Sequence, residues 1–176
     1  MADVIHLRPL DQDRDLPDLV AINNEGYPAV PLVDETEMSA LVDMSSLAIG
    51  AEDAEGRLVG FVLAMDPGLD YASENYTFFE AHYQNHLYID RVVLAEAARG
   101  QGVGSALYEA IFDKARRDGR EHVTCEVNLE PPNPGSLRFH RRWGFDDVAQ
   151  QPTKGGSVVV QLLHAPVSPG DHGLSR

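Results

Sequence analysis

The stretch LYIDRVVLAEAARGQGVGSAL, residues 87–107, carries the strongest structural signal in this chain. Residues 87–94 are apolar enough for a buried β-strand, and the end of the stretch has the periodicity of a helix. Between them, glycines alternate at Gly100, Gly102 and Gly104. Glycines between a strand and a helix let backbone N–H groups converge on an anion at the positive end of the helix. The stretch therefore predicts a phosphate-binding loop.

The spacing of these glycines distinguishes the loop from two other phosphate-binding motifs. A dinucleotide-binding fingerprint, Gly-x-Gly-x-x-Gly, follows the first strand of a domain, whereas here the third glycine falls one position early and the motif lies at mid-chain. A Walker loop requires Gly-Lys-Ser/Thr, and no lysine precedes Ser105. A turn that serves only the packing of the strand against the helix remains the structural alternative.

Length and composition predict one compact domain, residues 1–163, followed by a disordered tail, residues 164–176. The chain has no run of about 20 apolar residues that would span a bilayer, and its N-terminus lacks the apolar region of a signal peptide. The lone Cys125 excludes a disulfide within the chain or a thiolate metal site, and its valine neighbours predict a buried thiol. We expect a cytoplasmic protein without a metal and without membrane association.

The charge is distributed unevenly along the chain. The net charge is −14, and residues 1–90 hold 18 acidic residues but three Lys or Arg, whereas nine of the 14 Lys and Arg lie within residues 91–142. Because a large acidic field repels phosphate backbones, nucleic acid is not an expected partner. A small polyanionic ligand bound by the less acidic half is compatible with this distribution.

Hydrophobic periodicity and turn residues predict the order β-α-α-β-β-β-α-β-α-β-β, with an aromatic-rich insertion at residues 66–85 that holds a short helix near 75–83. The predicted strands are 4–10, 46–52, 57–65, 87–94, 121–128, 145–150 and 157–163. The longer predicted helices are 13–25, 34–44, 104–117 and one that starts after Asn133. This pattern alone indicates an α+β or α/β domain with a mixed sheet.

A second motif, NPGSLRFHRRWGF, occupies residues 133–145. Asn133 suits a helix N-cap, Pro134 suits the first helical position, and Gly144 suits the residue that ends the helix. The chain thus contains two motifs in a fixed order. The first is a strand, a glycine loop and a helix, and the second is a strand followed by a helix that starts at an asparagine.

This pair resembles the GNAT superfamily of N-acyltransferases, whose acyl-CoA motif Arg-x-x-Gly-x-Gly matches Arg99, Gly102 and Gly104. The resemblance covers roughly residues 3–163. It implies an α+β fold with a strongly bent, mixed sheet of six or seven strands, flanked by four helices, in which strands four and five splay apart.

The resemblance also implies acetyl-CoA as co-substrate, with its pyrophosphate on the glycine loop and its pantetheine arm along the preceding strand. A Cβ at Gly102 or Gly104 would hold the phosphates away from the backbone. By the family pattern, the backbone N–H near Val92 polarises the thioester carbonyl. The expected CoA contacts are Val92, Val93, Leu94, Arg99, Gly100, Gln101, Gly102, Val103, Gly104, Ser105, Asn133, Ser136 and Phe139.

An amine near pKa 10.4 must lose a proton before it attacks a thioester, so a carboxylate or a water relay beside one is expected. Asp90 and Glu126 are the leading candidates for this base, against ordinary structural carboxylates, and Glu74 and Glu80 are weaker ones. GNAT enzymes most often place a tyrosine acid seven residues after the helix-starting asparagine, where this chain has His140. Its imidazolium is a workable acid for the thiolate, and a histidine that packs or contacts CoA is the alternative.

The insertion and the first helices are expected to form the acceptor site. Tyr71, Tyr76 and Tyr83, with nearby acids, are candidates to hold a cationic amine, whereas Phe78 and Phe79 are as well explained by burial against the sheet.

We expect an N-acetyltransferase that acts on a primary amine of a small molecule or a peptide terminus. An acyl-CoA-binding module without turnover is the alternative, and a nucleotide-binding oxidoreductase is a third. Dimers are common in the family that the chain resembles, so a second copy of the chain is a candidate partner.

Overall fold

A mixed seven-stranded sheet organises the protein in the computed structural model, which describes residues 4–168. The order of strands across the sheet is β1-β2-β3-β4-β5-β7-β6. The strands are β1 (His6–Pro9), β2 (Leu47–Glu52), β3 (Leu58–Met65), β4 (His86–Leu94), β5 (His122–Glu130), β6 (Asp146–Thr153) and β7 (Val158–Pro166).

Five α-helices accompany these strands in the described part of the chain. They are α1 (Gln12–Glu25), α2 (Glu35–Met44), α3 (Glu74–His82), α4 (Val103–Arg117) and α5 (Pro134–Arg142). Helix α3 is the short helix predicted inside the insertion, and the other four are those expected to flank the sheet. The predicted α+β class with a mixed sheet of six or seven strands is confirmed.

The C-terminal end of the structure differs from the prediction at one place. Strand β7 continues to Pro166, whereas residues 164–176 were expected to form a tail. His164 and Ala165 pair with Thr124 and Val123 of β5, so the ladder hydrogen bonds extend the strand past the predicted end. Residues 169–176 of the predicted tail lie outside the described residues.

The chain divides into two compact units, the first comprising residues up to Leu69 together with Ile89–Ile111. In this unit β1, β2 and β3 pair antiparallel, and β3 contributes five consecutive fully buried residues, from Phe61 to Met65. Helices α1 and α2 begin at aspartate N-caps, Asp11 and Asp34, whose carboxylates accept backbone N–H groups of the first turn.

The second unit comprises Asp70–Tyr88 and the residues from Phe112 onward. In it, β5 pairs antiparallel with β7, and β7 with β6. The parallel register of β4 with β5 covers three pairs, from His86 opposite His122 to Tyr88 opposite Thr124. Glu126 is the next residue of β5 on the same face as Thr124, because side chains alternate along a strand.

Candidate active site

The glycine loop of the first unit connects β4 to α4. After β4 ends, a short 3-10 turn (Glu96–Ala98) leads into residues 99–102. Gly100 and Gly102 have φ values of +76° and +82°, a left-handed region that strains residues with a side chain. A Cβ built on either glycine would meet no atom within 4 Å. The loop therefore presents open space over its backbone, as a cradle for a ligand would.

The start of α4 is suited to an anion. Its first three N–H groups have no partner within the helix by geometry, and the helix dipole places partial positive charge at them. The first turn contains no acidic residue, whereas α1, α2 and α3 each have acids there. A phosphate is the ligand that these features favour.

The predicted loop residues have different roles in the structure. Arg99, Gly100, Gln101 and Gly102 are exposed, and the Gln101 side chain donates a hydrogen bond of 3.0 Å to the Ala97 carbonyl. Gln101 is thus committed to holding the turn.

Two further loop positions begin the helix. Val103 is buried in the core, while Gly104 and Ser105 are half-buried in the first turn of α4. Gly104 has no positive φ, so the conformational demand for glycine falls on Gly100 and Gly102.

The end of β4 alternates between two environments. Val93 is buried, and a Cβ on Gly60 would lie 3.1 Å from its carbonyl oxygen, so β3 approaches closely there. Val92 and Leu94 are half-buried on the opposite face. The predicted contacts with CoA therefore concern the backbone of residues 92–94, whereas the side chain of Val93 packs in the core.

Asp90 takes part in a buried ion pair. The Arg91 Nε donates to Asp90 Oδ2 at 2.7 Å, and the Arg91 Nη1 donates to Asn23 Oδ1 at 3.0 Å. Asn23 is fully buried and donates through Nδ2 to the Pro31 carbonyl at 2.8 Å. This network connects β4 to α1 and to the segment after it. Asp90 is thereby a partner of Arg91 in the structure, which favours the structural alternative for this carboxylate, and its role as a base stays a prediction.

Helix α5 of the second unit is capped as predicted at both ends. The Asn133 side chain accepts from the Ser136 backbone N–H, and Pro134 occupies the first turn. At the other end, Gly144 has φ +86°, Phe145 N–H donates to the His140 carbonyl and Gly144 N–H donates to that of Arg141. These bonds form a Schellman motif. Asn133 Oδ1 is therefore used by the helix, while Ser136 and Phe139 are half-buried.

His140 is buried, with 6% of its surface exposed, between the rings of Phe139 and Phe145. Its Nδ1–H donates to the Ser136 carbonyl at 2.7 Å, because a carbonyl can only accept. Burial lowers the pKa of His140, against a smaller raising effect of that hydrogen bond. Burial and the lowered pKa favour the alternative in which His140 packs in the helix, while its role as the acid stays a prediction.

We expect His140→Ala to lower the free energy of unfolding by about 1–3 kcal/mol, because a hydrogen bond and buried ring contacts are lost. At pH 7.5 kcat should change by less than about tenfold, whereas removal of a general acid typically costs about 10²–10⁴-fold. Denaturant unfolding and steady-state kinetics measure the two effects. A folded variant that has lost more than 100-fold in kcat would restore His140 as the acid.

Glu126 of β5 is half-buried and its carboxylate contacts Tyr88. The Tyr88 hydroxyl lies 2.9 Å from Oε1 and 2.8 Å from Oε2 of Glu126. The sequence singled out Glu126, but not Tyr88, which belongs to an apolar run and is fully buried. The two weaker base candidates each form a hydrogen bond within the protein. Glu74 accepts from the Lys154 backbone N–H, and Glu80 accepts from His86 Nε2.

The tyrosines of the insertion do not share one environment. Tyr76 is 1% exposed and packs against Tyr88 with ring centroids 5.4 Å apart, so burial favours a role in the core over its predicted contact with the acceptor. Tyr71 is half-buried at 5.5 Å from Tyr76. Tyr83 is half-buried against His122 and His164, and burial raises its pKa. Phe79 is fully buried, as its alternative explanation predicted.

His86 is a buried histidine that the sequence analysis did not assign. Its Nε2 lies 2.8 Å from Glu80 Oε1, and its Nδ1 lies 3.0 Å from Thr124 Oγ1. A neutral ring satisfies both contacts, since Nε2–H donates to the carboxylate and Nδ1 accepts from the hydroxyl. Burial lowers the pKa of His86, partly opposed by Glu80. The signal in the sequence that could have indicated it is a histidine directly before the apolar run of β4.

We expect the protein to lose stability as the pH falls below about 6.5, the pKa of an exposed histidine. Burial is the largest cause of a lowered pKa at three histidines, namely His86, His122 and His140. The unfolded chain therefore binds protons below pH 6.5 that the folded chain does not, so stability is fully present above that pH. Melting temperatures measured from pH 7.5 to 5.5 should decline, and His86→Gln should flatten the decline; a constant melting temperature would contradict the expectation.

Some features are absent from the structure as described. Among residues 4–168, no three His, Cys, Asp or Glu side chains are grouped as ligands for a metal ion. None of the helices in that same range is both long and apolar enough to cross a membrane. Cys125 is a free, buried cysteine, and burial raises its pKa well above the usual value.

A mixed sheet with a glycine loop between β4 and α4 and an asparagine-capped α5 is the layout expected from the resemblance to the GNAT acyltransferases. The model of the acetyltransferase (GNAT) family matches residues 16–145. The chain belongs to the GNAT family of acetyltransferases, which confirms the family that the two sequence motifs predicted.

Individual proteins are similar over different parts of the chain. An L-methionine sulfoximine/L-methionine sulfone acetyltransferase of Salmonella typhimurium is 38% identical over 64 residues, which are 36% of this chain and 36% of that protein. The crystal structure of Ard1 from Thermoplasma volcanium covers 96% of this chain and 99% of its own, with TM-score 0.77 and 19% identity. A phosphinothricin acetyltransferase from Sinorhizobium meliloti in complex with acetyl-CoA covers 98% and 92%, with TM-score 0.71 and 20% identity. The two structures share the fold.

Proposed function

We propose that this protein transfers the acetyl group of acetyl-CoA to the primary amine of a small molecule. The observation that carries the proposal is the glycine loop, in which Gly100 and Gly102 adopt positive φ values beneath open space at the start of α4. Backbone N–H groups there fit a diphosphate, and Arg99 is exposed beside them for a charge-assisted contact. Bound acetyl-CoA supplies the activated acetyl thioester.

The end of β4 supports the orientation of that co-substrate. Residues 92–94 offer main-chain donors and acceptors to an extended arm in the manner of strand addition. The backbone N–H near Val92 would stabilise negative charge on the thioester oxygen as the amine attacks. Packing of Val93 in the core keeps this backbone rigid.

Helix α5 is proposed to contribute further contacts to acetyl-CoA. Ser136 and Phe139 are half-buried on its surface, and Asn133 fixes its start. The first turn of α5 contains no acidic residue, which favours an anionic neighbour there as well.

Glu126 is proposed as the base that removes the proton from the acceptor ammonium, directly or through a water. The ammonium is neutral in about one molecule in several thousand at pH 7, which corresponds to roughly 4–5 kcal/mol. Glu126 is half-buried and its carboxylate is held by a hydroxyl, whereas the Asp90 carboxylate is engaged by Arg91. Of the two leading candidates for the base, we therefore favour Glu126 over Asp90.

An α-amino acid type of acceptor is supported by the curated relative. That protein acetylates L-methionine sulfoximine and L-methionine sulfone. A cationic amine also suits the acidic character of residues 1–90, which hold 18 acidic residues. Peptide N-termini are the alternative acceptor class, which the sequence analysis left open.

Release of free CoA thiol in the presence of an amine panel tests the proposal. The panel contains L-methionine sulfone, L-methionine sulfoximine, phosphinothricin and a peptide that starts with alanine. We expect turnover with at least one of the small molecules and weak or no turnover with the peptide. Acetyl-CoA binding without thiol release from any amine would favour a non-catalytic acyl-CoA-binding module, and stabilisation by NAD but not by CoA in thermal melts would favour an oxidoreductase.

A further inference from the structure

We propose that Tyr88 is the positioning residue for Glu126, and that the aromatic residues of α3 hold Tyr88 in place for this task. The inference rests on the proposed function, in which Glu126 is the base. It starts from the two contacts of the Tyr88 hydroxyl, at 2.9 and 2.8 Å from the two carboxylate oxygens. A hydroxyl placed almost equally between both oxygens lies on the axis of the carboxylate and sets its rotation.

The strand register explains how the two side chains meet. Tyr88 lies opposite Thr124 in the last pair of the parallel β4–β5 register, and Glu126 is two residues further along β5. Side chains two residues apart share a face of the strand, so Tyr88 reaches diagonally to Glu126. The carboxylate thus lies just past the point where the register with β4 ends.

The ring of Tyr88 is fully buried and fixed by α3. Its centroid lies 5.4 Å from that of Tyr76, at an angle of 68°, and 5.9 Å from that of Phe79. Both partners are themselves buried, and edge-to-face ring pairs have preferred geometries. The insertion helix therefore contributes to the reaction through Tyr88 and Glu126, by fixing the ring whose hydroxyl orients the carboxylate.

The chemical consequence concerns the protonation state and the direction of the carboxylate. A hydrogen-bond donor to a carboxylate favours its ionised form, which is the form that can act as a base. A fixed rotation directs the remaining lone pairs, and proton transfer depends on such geometry. Glu126 is half-buried rather than fully enclosed, as a base that meets an incoming amine must be.

The test compares Tyr88→Phe with Glu126→Gln and with the double variant. Tyr88→Phe should lower kcat by about 10- to 100-fold, the scale of a hydrogen bond to a charged group. The acid limb of its kcat/KM profile should move to higher pH, while KM for acetyl-CoA stays near that of the wild type. Glu126→Gln should lower kcat by about 10²–10⁴-fold, the scale of removing a general base. The double variant should be no worse than Glu126→Gln, because Tyr88 acts through Glu126.

Two further variants make the test independent of folding. Glu126→Asp keeps the charge but shortens the side chain away from Tyr88, and should show a loss of kcat similar to that of Tyr88→Phe. Tyr108→Phe removes the hydroxyl of another buried tyrosine, on α4, and should leave the pH profile unchanged. Circular dichroism and melting temperatures establish that each variant is folded.

A wild-type pH profile in Tyr88→Phe, or additive losses in the double variant, would overturn the positioning role while Glu126 remains the base. Wild-type activity of Glu126→Asp would overturn it as well. Wild-type activity of Glu126→Gln would instead remove the base assignment itself, and with it this inference.

Discussion

Gly102→Trp should weaken acetyl-CoA binding by about 100-fold or more, a loss of about 2.7 kcal/mol, while the protein remains folded. Gly102 has φ +82° and lies under open space at the start of α4. The indole would fill the space from which backbone N–H groups are proposed to reach the diphosphate. The strain of a side chain at positive φ costs roughly 1–2 kcal/mol, which lowers stability without unfolding the protein. Isothermal titration with acetyl-CoA measures the affinity.

Gly56→Trp is the matched control for this substitution. Gly56 lies in the β2–β3 turn at φ +76°, is exposed, and also has no atom within 4 Å of its ideal Cβ. The control therefore carries the same backbone strain at a position with no proposed ligand, and should bind acetyl-CoA as the wild type does. Equal affinities in the two variants would refute the assignment of the phosphate site to the loop.

Arg91→Met should destabilise the protein by about 3–5 kcal/mol, the cost of removing one partner of a buried ion pair. Arg91 is 8% exposed, and its guanidinium donates to Asp90 and to the fully buried Asn23. Methionine fills part of the volume but donates no hydrogen bond, so both acceptors lose this partner. For a chain of this size the melting temperature should fall by roughly 6–20 °C, as calorimetry would measure.

The exposed pair of Arg57 with Asp53 provides the comparison. Arg57 is 74% exposed and lies 2.9 Å from the Asp53 carboxylate, so Arg57→Met should leave the melting temperature nearly unchanged. If Arg91→Met also left the melting temperature unchanged, the hydrogen-bond network from β4 to Asn23 would not stabilise the fold. Asp90 would then return as a candidate base.

The element order and the loop could be predicted because their signals are local. The first motif has alternating glycines between an apolar strand and an amphipathic helix. The second has an asparagine followed by a proline, with a glycine ten residues after that proline. Caps and strand periodicity depend on neighbouring residues, so the predicted bounds of most elements lie within two residues of those observed. The exceptions are the C-terminal ends of two strands: that of β6 is extended by pairing with the start of β7, and that of β7 by pairing with β5.

The roles of the carboxylates depended on distant partners. Asp90 and Glu126 looked equivalent as acidic residues on strands, and nothing near Glu126 in the sequence distinguishes it. Arg91 engages Asp90 and also reaches Asn23, 68 positions away, whereas Glu126 meets Tyr88, 38 positions away. In the same way, the sequence could not reveal that the pKa of His140 is lowered. The cause of the shift is burial of the ring beside Phe139 and Phe145, which only the folded chain brings about.

The sequence by itself determined the family, the order of strands and helices, and the loop that suits a diphosphate, since each follows from backbone preferences of consecutive residues. The tertiary structure decided which carboxylate forms an ion pair with an arginine, which carboxylate contacts a tyrosine, and which histidines are buried so that their pKa is lowered. The physical reason is that hydrogen-bond partners and desolvation are set by side chains that folding brings together from remote parts of the chain.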